Sequence, residues 1–119
     1  MMQLRLSIPP GVNNLYANRY NGGGRCKSKR YRSWIETAGR ELKLQRPQPM
    51  AGPVSIAIFL PETMRGDSDG RLKAPIDLLV THHLIDGDAR TTVRKSSAEF
   101  SVDVPSGQCI VTVTSAGEG

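Results

Sequence analysis

Between Gly66 and Lys73 the chain carries two aspartates two residues apart, Asp67 and Asp69, with Lys73 four residues beyond the second. If the backbone is extended there, side chains at i and i+2 project to the same side and the two carboxylates can share a cation. A hard divalent ion such as magnesium suits that pair, because it takes oxygen ligands, keeps several waters, and is held by one or two carboxylates together with a substrate phosphate. The chemistry would be phosphodiester hydrolysis, the ion polarising the phosphate and activating the attacking water. Lys73, in the first turn of a helix, would balance charge building on the phosphate oxygens. A third carboxylate would come from Leu84-Ile85-Asp86-Gly87-Asp88, as Asp86 or Asp88. A helix and a turn separate the two acidic clusters, so their convergence requires the chain to double back.

Plain structural roles compete with each of these readings. Asp-x-Asp-Gly is common in turns, where aspartate and glycine stabilise a chain reversal. A calcium-binding EF-hand loop is excluded, since Arg65 would fill its first ligand position and Ile76 the place of its bidentate glutamate. A single lysine is more often a solvated helix charge. His82 and His83 are adjacent, and neighbours on a helix point about 100° apart, so a shared metal is not expected of them.

Sixteen basic residues against 11 acidic ones give a formal charge of +5 and a pI near 9.6, which favours a polyanionic partner. The distribution is uneven. Arg19, Arg25, Lys27, Lys29, Arg30 and Arg32 fall in a stretch without acids, interleaved with Tyr16, Tyr20 and Tyr31. Arg65 and Arg71 flank the acidic pair. A solubilising surface segment is the bland reading of such a run.

The elements that must position these residues follow from periodicity. Residues 3–8 alternate as Leu4, Leu6, Ile8 against Gln3, Arg5, Ser7, the pattern of a half-buried strand that stops at Pro9-Pro10. Residues 11–30, with Gly22-Gly23-Gly24, read as a long loop. Residues 31–44 place Trp34, Ile35, Ala38 and Leu42 at helical spacing, and Pro47 and Pro49 follow. Residues 54–60 form a strand with apolar residues on both faces, predicting a central position with both faces covered. Residues 72–84 resume helical spacing, and Pro75 fits only near the start of that helix. Residues 92–102 and 108–114 are two strands joined by Pro105-Ser106-Gly107.

The order β-α-β-α-β-β predicts an α+β (α/β) class: one domain spanning residues 1–119, with helices packed on a mixed sheet. No apolar run approaches the ~20 residues needed to cross a bilayer. The N-terminus lacks the build of a secretory signal, so a cytoplasmic location is expected. Cys26 and Cys109 lack CxxC spacing and are expected to be free thiols rather than a disulfide or zinc site.

The run Asp67-Ser68-Asp69-Gly70-Arg71-Leu72-Lys73, then Asp77-Leu78-Leu79, then Ile85-Asp86-Gly87-Asp88, resembles the DxDNxxK...DxL...DD pattern of the RusA family of Holliday junction resolvases, found in bacteria and their prophages. Ile8-Pro9-Pro10-Gly11-Val12-Asn13-Asn14-Leu15-Tyr16 is similar to the family's N-terminal PPS-x-N-x-xY segment. The resemblance implies a homodimeric, magnesium-dependent endodeoxyribonuclease, with manganese as a substitute ion. Such an enzyme resolves four-way DNA junctions by paired symmetric nicks in recombination and repair, a two-fold protein matching a two-fold substrate. It also implies that Asp67, Asp69 and Asp88 bind the ion and that Lys73 is catalytic. Arg19, Arg25, Lys27, Lys29, Arg30, Arg65 and Arg71 would contact DNA phosphates, supplying affinity more than sequence information. The chain departs from the pattern at Gly70, where the family has asparagine, at Gly87, which splits the paired aspartates, and at Pro75. Two other classes stay open: a junction-binding protein of prophage origin that cuts weakly or not at all, and a protein-interaction domain without a nucleic-acid role.

Overall fold

Strand β1 (Met2–Ser7) follows directly from its alternation: Met2, Leu4 and Leu6 are buried while Gln3 and Arg5 face solvent. The computed structural model describes residues 1–18, 25–66 and 68–116, with the backbone alone at Asn18 and Asp69. Arg19, Tyr20, the Gly22-Gly23-Gly24 run and Asp67 therefore lie outside the described residues.

The described part of the expected loop holds more structure than its composition suggested. A 3-10 turn at Val12–Asn14 is followed by β2 (Tyr16–Asn18) and β3 (Arg25–Lys27), which pair antiparallel as a separate two-stranded ribbon. The backbone then enters α1 (Lys29–Leu44), two residues earlier than the apolar spacing indicated, because Ser28 caps it: the Ser28 hydroxyl accepts from the Tyr31 N–H at 3.0 Å. Arg46 closes this helix with a left-handed φ of 51°, and Pro47, lacking an N–H, cannot continue it.

Four strands make the main sheet, in the order β1-β6-β4-β5, with β4 at Val54–Pro61, β5 at Val93–Ser101 and β6 at Gln108–Ser115. The pairs β1–β6 and β6–β4 are antiparallel and β4–β5 is parallel, so the sheet is mixed. The parallel pair needs a crossover, and α2 (Lys73–Thr81) supplies it. The whole is a single α+β domain with one core, in which Leu4, Ile56, Ile58 and Val111 from the sheet meet Trp34 and Leu42 of α1 and Leu78 and Leu79 of α2.

Helix α1 is tied to β1 by polar contacts as well as apolar ones. Trp34 Nε1 donates to Ser7 O at 2.9 Å, and Glu41 accepts from Ser7 N at 2.7 Å and Ser7 Oγ at 2.9 Å. Gln45 both accepts from Arg5 N at 2.9 Å and donates to Arg5 O at 2.7 Å. Its amide thus takes the place of a neighbouring strand, satisfying backbone groups that an edge strand would leave exposed.

Two expectations are corrected. The far face of β4 is not covered: Ser55, Ala57 and Phe59 remain half-exposed, in a shallow depression they share with Lys95, Ser97 and Thr112 of the flanking strands. Apolar residues on both faces of a strand did not require two layers of helices. Helix α2 also ends at Thr81 and not at Leu84, because His83 adopts a left-handed φ of 58°. His83 N–H bonds Val80 O at 3.0 Å and Leu84 N–H bonds Leu79 O at 2.9 Å, the paired bonds of a Schellman terminus, and both Leu84 and Leu79 are buried. No helix among the described residues is long and apolar enough to cross a membrane.

Candidate functional site

The chain leaves β4 through a turn closed by Met64 N–H to Pro61 O at 3.0 Å, passes Gly66 at φ 102°, and enters a 3-10 turn at Asp69–Arg71 that runs into α2. Ser68, between the two aspartates, has helical torsions (φ −74°, ψ −37°), so the extended backbone that would aim residues i and i+2 to one side is not present there. The physical reason is the turn itself, since Arg71 N–H bonds Ser68 O at 3.1 Å.

The acidic loop is held by the N-terminal segment. Arg71 Nη1 donates to Pro9 O at 2.7 Å, and its guanidinium lies beside Gly11 and Gly66. Gly70 sits against Val12, where a Cβ would stand 3.5 Å from Val12 Cγ1. The Pro-Pro-Gly-Val-Asn-Asn segment and the Asp-x-Asp segment, distant in sequence, are thus in direct contact. Arg71 acts here as a strut between them, a role that the sequence reading did not give it.

Lys73 is the first residue of α2, exposed, with its ammonium 3.4 Å from Asp77 Oδ2. The same oxygen accepts from the Tyr31 hydroxyl of α1 at 3.5 Å. Burial, with the Asp77 charge beside it, pushes the Tyr31 phenol up to about 12, so it stays protonated as a donor. Helix stability does not account for this arrangement. A cation at a helix N-terminus opposes the macrodipole by about 0.3–1 kcal/mol. A Lys-to-Asp pair at i,i+4 is the weaker orientation of an interaction worth about 0.2–0.5 kcal/mol.

Asp77 opens onto a cleft of about 230 Å³ bounded by the β2–β3 ribbon, α1 and α2 and lined by Tyr16, Lys27, Tyr31, Ile35, Asp77 and Val80. Tyr16 and Tyr31 meet edge to face with centroids 6.0 Å apart, and the Arg25 guanidinium lies over the Tyr16 ring at 5.4 Å. Of the basic residues singled out above, Arg25, Lys27, Lys29, Arg30 and Arg65 are exposed, Arg71 is half-buried, and Arg19 is outside the described residues. The ribbon therefore carries Lys27 to the same cleft as the partner of Lys73, with Arg25 over the Tyr16 ring that helps line it.

At the other end of α2 the two candidate carboxylates differ. Asp86 accepts the Gly52 N–H at 2.9 Å, holding the turn before β4. Asp88 is exposed, and no hydrogen bond or ion pair ties it to another described residue. A nine-residue helix about 13 Å long separates Lys73 from the segment carrying Asp88. Among the described residues no group of three or more His, Cys, Asp or Glu side chains could hold a metal ion; the side chains of Asp67 and Asp69 are not among them.

His82 packs against Gly39 of α1, where a Cβ would come 3.3 Å from His82 Nε2; burial, then Lys43 and His83, hold its imidazole below the usual range. Both cysteines are free, and burial, with Glu41 nearby, pushes Cys109 up to about 12. Sequence reasoning gave Asp77 and Tyr31 no role in the site; the signals for Asp77 were its i,i+4 spacing from Lys73 and its place in the Asp77-Leu78-Leu79 part of the motif. No protein-family model matches the chain, and no curated protein matches it.

Proposed function

We propose that the protein is a magnesium-dependent endodeoxyribonuclease acting on four-way DNA junctions as a homodimer. The observation that supports this best is the meeting of Lys73, through its partner Asp77, with the basic β2–β3 ribbon at one cleft. Arg25, Lys27 and the neighbouring cations would track the phosphate backbone, which dominates nucleic-acid affinity. Lys73 would hold its ammonium toward the scissile phosphate. Asp67, Asp69 and Asp88 fit the ion by their chemistry, being carboxylates that supply hard oxygen ligands, and Asp88 is exposed with no competing partner among the described residues. When bound, magnesium would polarise the phosphate and activate the attacking water.

The test is incubation of the protein with a labelled synthetic junction. Paired, symmetric nicks that require magnesium are expected, and DNA left intact across a range of protein and metal concentrations overturns the reading. Asp69→Asn is expected to stop cleavage while preserving or strengthening junction binding, because it removes a negative charge near the phosphate. The helical backbone at Ser68 favours a second reading, a junction-binding protein that cuts weakly or not at all. Its signature would be affinity that persists in EDTA with no cleavage under any metal.

A further inference from the structure

Lys73 and Tyr31 come from different helices and converge on one oxygen, Oδ2 of Asp77, at 3.4 and 3.5 Å. Tyr31 is itself immobile: it is buried, its N–H is bonded to the Ser28 cap, and its ring packs between Tyr16 and Trp34. Asp77 is anchored from below by a rigid group and holds a flexible one above. A lysine side chain has four rotatable bonds, and an exposed one without a tether samples many positions. Among the described residues, no acidic residue in the first turn of α2 and no side-chain cap offers Lys73 another local anchor. The pair also removes a penalty. A lone carboxylate on the cleft wall would repel a phosphate strand, whereas Asp77 joined to Lys73, with Lys27 across the cleft, leaves the wall net positive.

We propose that Asp77 is a positioning residue for Lys73, itself fixed by the Tyr31 hydroxyl, so that the ammonium is presented in one orientation when a phosphate strand arrives. This rests on the nuclease reading of Lys73. Asp77 does not touch the phosphate, and its loss should lower the rate of cutting more than the affinity for DNA.

The experiment compares the full chain with Asp77→Asn, Asp77→Glu and Tyr31→Phe on a synthetic four-way junction in magnesium. Asp77→Asn is expected to lose about tenfold to a hundredfold in kcat, the scale set by misplacing a catalytic group, with junction Kd changed less than about twofold. Asp77→Glu, which keeps the charge, should recover much of the rate, and Tyr31→Phe should show an intermediate loss. In parallel, the NMR correlation signal of the Lys73 ammonium, assigned by its disappearance in Lys73→Arg, should shift or broaden in Asp77→Asn. A variant Asp77→Asn that cuts at the parental rate overturns the positioning role and leaves the nuclease reading standing. So does a loss of rate that Asp77→Glu does not restore and that follows melting of the fold. A parental protein that never cuts overturns the nuclease reading and this role with it, while the ammonium signal still reports whether the contact exists.

Discussion

The carboxylate of Asp86 is engaged by the backbone of Gly52, 2.9 Å away, at a residue whose φ of 80° marks a left-handed turn. The neighbouring acid, Asp88, is exposed. A single hydrogen bond at this surface is worth about 0.5–1.5 kcal/mol, so Asp86→Ala should lower stability by about 1 kcal/mol in urea unfolding and leave junction cutting in place. Asp88→Asn should do the reverse, keeping stability within about 0.5 kcal/mol and abolishing cutting. Equal activity in the two variants would remove Asp88 from the site.

Arg71 joins the acidic loop to the N-terminal segment through Pro9 O, and the contact is part-buried. Hydrogen bonds from charged groups contribute about 1.5–3 kcal/mol, so Arg71→Met should destabilise the protein by about 2 kcal/mol and also slow cutting by loosening the loop that carries Asp69. Arg65→Met, at an exposed position, should leave stability unchanged and weaken DNA binding alone. Denaturant titration and junction binding, measured on both variants, separate the strut from the surface cation.

Much of this framework was legible in residue order. Alternation marked β1, β4 and β6, and apolar spacing marked both helices, because those patterns arise from burial of one face. Pro75 was placed correctly at the start of α2: it is the third helical residue, where an N–H would have no partner within the helix. The rest escaped for physical reasons. The β2–β3 ribbon pairs only three residues on each side, in a stretch of Asn, Gly and basic residues that lacks strand periodicity. The end of α2 depends on histidine adopting a torsion usually left to glycine. The family pattern favoured Asp88 over Asp86, but the bond of Asp86 to Gly52 was not foreseen, since a pairing of residues 34 positions apart leaves no mark on local spacing. Asp77 was visible as part of a motif, but its link to Tyr31 crosses between helices and needed the tertiary structure.

His82 gives the fold a pH dependence of predictable sign. Burial, reinforced by Lys43 and His83, lowers its folded-state pKa, so the native protein favours the neutral imidazole. The unfolded chain takes up a proton near the ordinary value of about 6.5, whereas the native state does so only at lower pH. Stability is therefore fully present above about pH 6.5 and declines as pH falls toward the folded pKa. Thermal unfolding should show Tm dropping as pH falls below about 6.5, and His82→Gln should flatten that slope. An unchanged slope in the variant would assign the effect to another group.

Salt dependence tests whether the β2–β3 ribbon meets phosphate. Each phosphate neutralised by a cation contributes about −0.9 to the slope of log K against log salt for duplex DNA. Arg25→Gln combined with Lys27→Gln should therefore reduce the magnitude of that slope by about 2 for a four-way junction, weakening binding uniformly across sequences. Arg40, exposed on α1 and paired with Glu36 at 4.0 Å, lies away from the cleft, and Arg40→Gln should leave the slope as it was. Removing Arg25 also uncovers the Tyr16 ring, a contact worth about 0.5–1 kcal/mol at an exposed site, so stability is measured alongside. A double variant that keeps the parental slope would place the DNA elsewhere on the molecule, and an Arg40→Gln slope that falls with it would mean that the cations act through net charge and not through this ribbon.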